Sequence, residues 1–128
     1  MGTVEITLQA MTAVAARNAL LQHPLWKAEH DLGNAIDSGD GERVCEALAN
    51  VNHVAAMIAP IGWTEAEAAV FSGTVFVDPA VLGDALDREA DVIVSRMGEN
   101  EIEAREGHGQ LSILYRITDQ LDGAGVPA

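Results

Sequence analysis

The chain has 128 residues, 48% of them hydrophobic, which excludes a disordered polymer and suits a single domain with a buried core. Twenty acidic residues against seven Lys and Arg give a formal net charge of −13, a surface that repels phosphate backbones and argues against direct nucleic-acid binding. The lone Cys45 leaves no intramolecular disulfide, and no apolar run reaches the roughly 18 residues of a membrane span.

The start, MGTVEITL, lacks the basic region and cleavage pattern of a signal peptide, and Ile6 stands where a myristoylation motif wants Ser or Thr. A cytoplasmic protein without a membrane partner is the expectation. Lys27 is the only lysine beside six arginines, a bias resembling a GC-rich coding sequence, so part of the composition needs no functional explanation.

In chain order, Thr3–Leu8 alternates like a strand, but Val4, Leu8, Met11 and Ala15 also continue at helical spacing into the Ala-rich Gln9–Gln22 stretch. The preferred reading is one long helix, with strand-then-helix as the alternative. Pro24 is expected to end it, and to suit the first turn of a second helix over 25–37. Leu25, Ala28, Leu32 and Ile36 make that helix's apolar stripe, and Trp26, His30 and Gly33 a more polar line beside it.

A Ser38–Gly41 turn then folds the second helix back, antiparallel, on a third over Asp40–Ala59, capped by Asp40 and closed by Pro60. Val44, Leu48, Val51, Ala55 and Ile58 share one face of that third helix, and Ala47, Val54 and Met57 widen it. So broad an apolar surface predicts the central helix of the domain, around which the others pack.

Thr64 and Glu67 form a capping box for a short helix to about Phe71, and Thr74–Val77 reads as extended. Asp78-Pro79 opens a fifth helix with core positions Leu82, Leu86, Ala90, Ile93 and Met97, stopped at Gly98. Asn100 with Glu103 is expected to cap a last helix with Leu111, Leu114, Ile117 and Leu121 inside and a kink at Gly107-His108-Gly109. The predicted fold class is all-α, a compact bundle of five to six helices with at most a minor two-stranded β element pairing 3–8 with 74–77. One domain over 1–122 and a frayed tail over 123–128 complete the organisation.

The chemistry-bearing residues make no recognised motif. Glu-x-x-His, His-Glu-x-x-His, Cys-x-x-Cys and the calcium loop are absent, so neither a metal site nor a cofactor is expected. Glu46, Asn50 and His53 line up at i, i+4 and i+7 on the third helix, opposite its apolar stripe, where a solvated or partner-facing row is the plainer reading. Cys45 lies near that helix's N-terminus, the chain's sharpest chemical suggestion, yet ordinary packing accounts for it. The glycine pairs at 39/41 and 107/109 lack the further glycine and the preceding strand of a phosphate loop.

Two functions follow. The first is a small acidic helical protein acting through protein–protein interaction, as a homodimer and with a basic partner, because its wide apolar helices and anionic surface suit both; a nucleic-acid mimic is a narrower form of it. The second is a helical enzyme or ligand-binding bundle with a pocket lined by Trp26, His30 and His53. Trp63, His108 and Tyr115 are further ligand-binding candidates, and His30, His53 and Cys45 the catalytic ones.

Overall fold

The computed structural model describes residues 2–125. The elements run β1 (Val4–Gln9), α1 (Met11–Leu20), a π-helical turn (Leu21–Leu25), α2 (Trp26–Ser38), α3 (Gly41–Ile58), α4 (Glu65–Ala69), β2 (Ser72–Val77), α5 (Pro79–Gly98) and α6 (Ala104–Gly125). The fold is mostly helical, with β1 and β2 as its one small antiparallel sheet among the described residues. None of the described helices is long and apolar enough to cross a membrane.

The first segment is a strand, and the single long helix expected from residue 3 onward does not form. Val4 pairs with Val77, Ile6 with Val75 and Leu8 with Gly73, which turns Ile6, Leu8, Val75 and Val77 together into the core. A helix continuing through Leu8 and Met11 would bury Met11, which is instead 66% exposed. The period-2 pattern wins because a second β-branched segment supplies the ladder partner that a strand needs. The corner falls at Ala10, whose φ of 50° is a strained conformation for a residue with a Cβ, and whose N–H donates to the Phe71 carbonyl.

Beyond the corner the chain turns helical and stays so until Ser38. Pro24 does not end the helix as expected. A proline inside a regular α-helix lacks one donor and pushes its ring against the carbonyl four residues back. Here the backbone widens into a π turn over Leu21–Leu25, with Pro24 inside it, and α1 passes into α2 without a break.

The core lies between α1, the sheet, α5 and α6. Ala13, Ala16, Ala19 and Leu20 of α1 are fully buried, small side chains that let neighbouring elements approach closely. Leu82, Leu86 and Ile93 of α5 and Leu111, Leu114, Ile117 and Leu121 of α6 join them, on the faces that their spacing predicts. The third helix is not central. Only Val54, Met57 and Ile58 of α3 are buried, while Leu48 is 46% exposed. Its stripe packs on α2 as an antiparallel hairpin that projects from the core at its Ser38–Asp40 turn, so the wide apolar face belongs to a peripheral element.

Local stops and starts follow their chemistry. Asp40 accepts from the N–H groups of Glu42 and Arg43, and Asp78 from those of Ala80 and Val81, with Pro79 in the first turn of α5. Thr64 and Glu67 make both bonds of the capping box. Hydrogen bonds to Thr64, backbone first, hold the Glu67 carboxyl below its ordinary pKa. Two expectations near α6 fail together. Asn100 does not cap α6; it closes α5, with φ 59°, its N–H donating to the Met97 carbonyl and that of Glu101 to the Arg96 carbonyl. The helix does stop at Gly98, as expected, and this left-handed closure follows it. Nor is α6 broken at residues 107–109: it runs as one helix from Ala104 to Gly125, and Gly107 is buried where any Cβ would run into the Met97 side chain. The glycine serves close helix packing. Finally, α6 reaches Gly125, into the stretch expected to fray; residues 126–128 lie outside the described residues.

Candidate functional site

Three surface features carry the polar and apolar groups not spent on the core. The first is an open cleft of about 770 Å³ between the π turn, α2, the middle of α3 and the start of α5. The π turn presents His23, whose Nε2 lies 2.9 Å from Glu89 Oε2 with both side chains mostly buried. One turn on, Trp26 and His30 stack face to face, centroids 5.4 Å apart and planes within 4°, the i, i+4 geometry of one helix face. Asn50 and Val54 of α3 and Val81 of α5 complete the walls.

Charges in this cleft cancel in pairs. Lys27 Nζ donates to Asp31 Oδ2 at 3.1 Å, and Arg88 Nε to Asp84 Oδ2 at 2.8 Å. Asp84 raises the pKa of the Arg88 guanidinium, first by that hydrogen bond and then by its charge. These exposed, solvent-screened pairs add little stability. The cleft therefore offers a planar stacking surface with polar flanks and no net positive field.

The second feature is a groove of about 730 Å³ on the opposite side of α1 and α5, also bordered by α4 and α6. Val14, Ala15, Ile93, Ile113 and Leu114 form its floor, and Met11 and Ala69 its exposed margin. Glu65, Glu89 and Arg96 stand on the rim, and Arg96 Nε already lies 3.6 Å from Glu101. Glu89 thus faces the groove while bonding His23 from the cleft.

The third feature is the sheet's pair of edges. On β1, the Gln120 amide of α6 accepts from Thr7 N–H at 2.7 Å and donates to the Thr7 carbonyl at 2.8 Å. Thr12 does the same for Gln9, accepting from its N–H and donating to its carbonyl. The outward groups of β2 have no such cover among the described residues.

The structure brings together only part of the sequence-level site. Trp26 and His30 meet in the cleft. His53 does not line it; its Nε2 lies 2.9 Å from Asp78 Oδ2, beside the cleft at the start of α5. That bond leads the influences holding the Asp78 carboxyl below its ordinary pKa, against partial desolvation and with help from the Val81 and Ala80 N–H groups. The proposed line Glu46–Asn50–His53 therefore splits: Asn50 faces the cleft, His53 faces Asp78, and Glu46 borders a shallow depression with Arg43 and Asp31.

Trp63, His108 and Tyr115 do not join the cleft. Trp63 gives its carbonyl to the Arg17 guanidinium, and His108 and Tyr115 are exposed on α6. Cys45 is an exposed thiol on the hairpin, so it is not the packed cysteine expected. Among the described residues no three His, Cys, Asp or Glu side chains gather as metal ligands would. Sequence reasoning missed His23–Glu89, because Pro24 marked His23 as a turn residue and Glu89 lies 66 positions away. It also missed the groove: of its lining only Ile93 and Leu114 are expected inside, and the 66% exposure of Met11 marks it only once the fold is known.

Comparison with models of protein families, with curated proteins and with solved structures finds no match.

Proposed function

We propose that this is a cytoplasmic protein acting by protein–protein interaction, as a homodimer, with the groove between α1, α4, α5 and α6 receiving a basic amphipathic helix of another protein. The carrying observation is the pairing of an open apolar floor, Val14, Ile93, Ile113 and Leu114, with the exposed acidic rim residue Glu65 on a chain of net charge −13. Apolar residues at i, i+3, i+4 and i+7 of a ligand helix fit such a floor, while its lysines meet the rim and the wider anionic field.

Titration calorimetry with a synthetic Lys/Leu peptide of amphipathic pattern tests this against a scrambled peptide of equal composition. Saturable binding of the patterned peptide alone, weakening as salt rises, is expected. Ala69→Trp fills the groove without changing charge. It should abolish binding; unchanged binding would show that charge alone holds the peptide and would remove the groove from the function.

The cleft supports a second reading, a small planar ligand stacked on Trp26 between His23, His30 and Asn50, since a face-to-face Trp–His pair at a cleft mouth is a ready aromatic platform. Trp26 fluorescence in a Trp63→Phe background is its readout. No quenching by any of a panel of planar heteroaromatic compounds would dismiss it.

A further inference from the structure

The two strands of the sheet are treated unequally, and the hydrogen bonds fix which backbone groups point where. Thr7 spends both backbone groups on Gln120, away from β2, so the Thr7–Thr74 pair exchanges no ladder bonds. The next corner agrees, since the Ala10 N–H donates to the Phe71 carbonyl in the same register. Ladder bonds therefore run through Ile6–Val75 and Leu8–Gly73. The N–H and C=O groups of Ser72, Thr74 and Phe76 point outward, and none of them has a partner among the described residues. The outward row is closed only at its far end, where Asp78 N–H donates to Met57 Sδ at 3.3 Å.

Folded proteins generally blunt such an edge with Lys, Pro, a bulge or a cover. The β1 edge is covered at Thr7 by Gln120 and at Gln9 by Thr12, and it carries the charged Glu5. On β2 there is no Pro and no charged residue, and Phe76 stands 64% exposed on the solvent face. We infer that the β2 edge pairs antiparallel with β2 of a second copy of this chain, centred on Thr74, to make a four-stranded sheet across a two-fold axis.

Three observations select a second copy as the occupant. The open residues Ser72, Thr74 and Phe76 are symmetric about Thr74, so a two-fold register sets Thr74 opposite its own counterpart and Ser72 opposite Phe76. All of the outward donors and acceptors are then satisfied at once. Each Phe76 ring lies over the facing strand rather than in water. Two copies of a chain with net charge −13 repel wherever their acids meet, and an edge without an ionisable side chain is where they can approach. The inference rests on the homodimer part of the function proposed above and names its surface.

Native mass spectrometry and sedimentation of the full chain test both, separately. The wild-type protein should be a dimer, and Thr74→Pro a monomer. Proline there removes an outward N–H without touching a ladder bond to β1, and edge strands accept proline. Thr74→Asp, which sets two carboxylates opposite each other, should also halve the mass, and circular dichroism should show both variants folded. If Thr74→Pro unfolds, Thr74→Asp decides alone. As a positive test, Thr74→Cys in a Cys45→Ser background should crosslink to a covalent dimer on mild oxidation, while Thr7→Cys in the same background should not. A dimer that survives Thr74→Asp and fails to crosslink would overturn the β2 edge while leaving the homodimer standing. A monomeric wild-type protein would overturn both.

Discussion

The helix from Met11 to Ser38 is continuous, yet its two halves live in different surroundings. In α1 the buried positions are Ala13, Ala16, Ala19 and Leu20, enclosed by the sheet, α5 and α6. In α2 only Ala28 and Ala35 are buried, against α3, and Ile36 is 58% exposed. The same backbone thus belongs to the core in its first half and to a projecting hairpin in its second, and the π turn marks the change. Amphipathic width in the sequence measures how much apolar surface an element offers, not how much the fold takes up.

That contrast breaks most visibly at Leu20, which is fully enclosed. Leu20→Ala should cost about 2–5 kcal/mol in urea denaturation, as other buried leucines do. Gly62→Ala should follow at about 2 kcal/mol. Gly62 has φ 134°, an added Cβ would sit 2.6 Å from Glu67 Cβ, and its carbonyl accepts from Arg17 Nε, which moors α1 to the chain before α4.

Asp78 joins the two regions, since it caps α5 and holds His53 at the base of the hairpin. Asp78→Ala should cost about 1–2 kcal/mol through the cap. Because the folded-state pKa of Asp78 is depressed, its contribution is present above the unfolded carboxylate pKa and fades as pH falls through the folded value. Asp78→Asn keeps a capping oxygen and should flatten that acid limb of the stability profile; an unchanged limb would assign it to other carboxylates.

The smallest effects belong to the hairpin. Ile36→Ala should change stability by no more than about 0.5 kcal/mol in the monomer. Amide exchange around Ser38–Arg43 should be faster than in α1, as expected of a segment with few buried contacts. A cost at Ile36 comparable to that at Leu20 would mean that the hairpin face is covered in the assembled protein.

How much of this could be read in advance varies with the range of the interaction. Caps and turns were legible because their partners lie within three residues: Asp40, Asp78-Pro79 and the Thr64/Glu67 box all do what their spacing says. The core faces of α5 and α6 were legible from periodicity. For residues 4–9 helical and strand periods both fit; the preferred long helix failed and the alternative, 3–8 paired with 74–77, formed, because the choice depended on that distant partner. Pro24 was misread because a π turn leaves no mark in sequence beyond the proline itself. Of the candidate site, Trp26 with His30 was a local pair and could be foreseen. His23–Glu89 and His53–Asp78 are joined only by the tertiary fold, and no spacing rule reaches them.

The clamp of Gln120 on Thr7 spans 113 positions, which bears on the order in which the chain is made. β1 leaves the ribosome well before the amide that shields its outer backbone. Until α6 follows, and in any fragment ending before it, the outer edge of β1 lacks its Gln120 cover and Thr7 is unsatisfied. A nascent chain in that state is open to pairing with its neighbours on a polysome. Premature termination upstream of Gln120 should therefore yield insoluble product, even where the remaining helices could form.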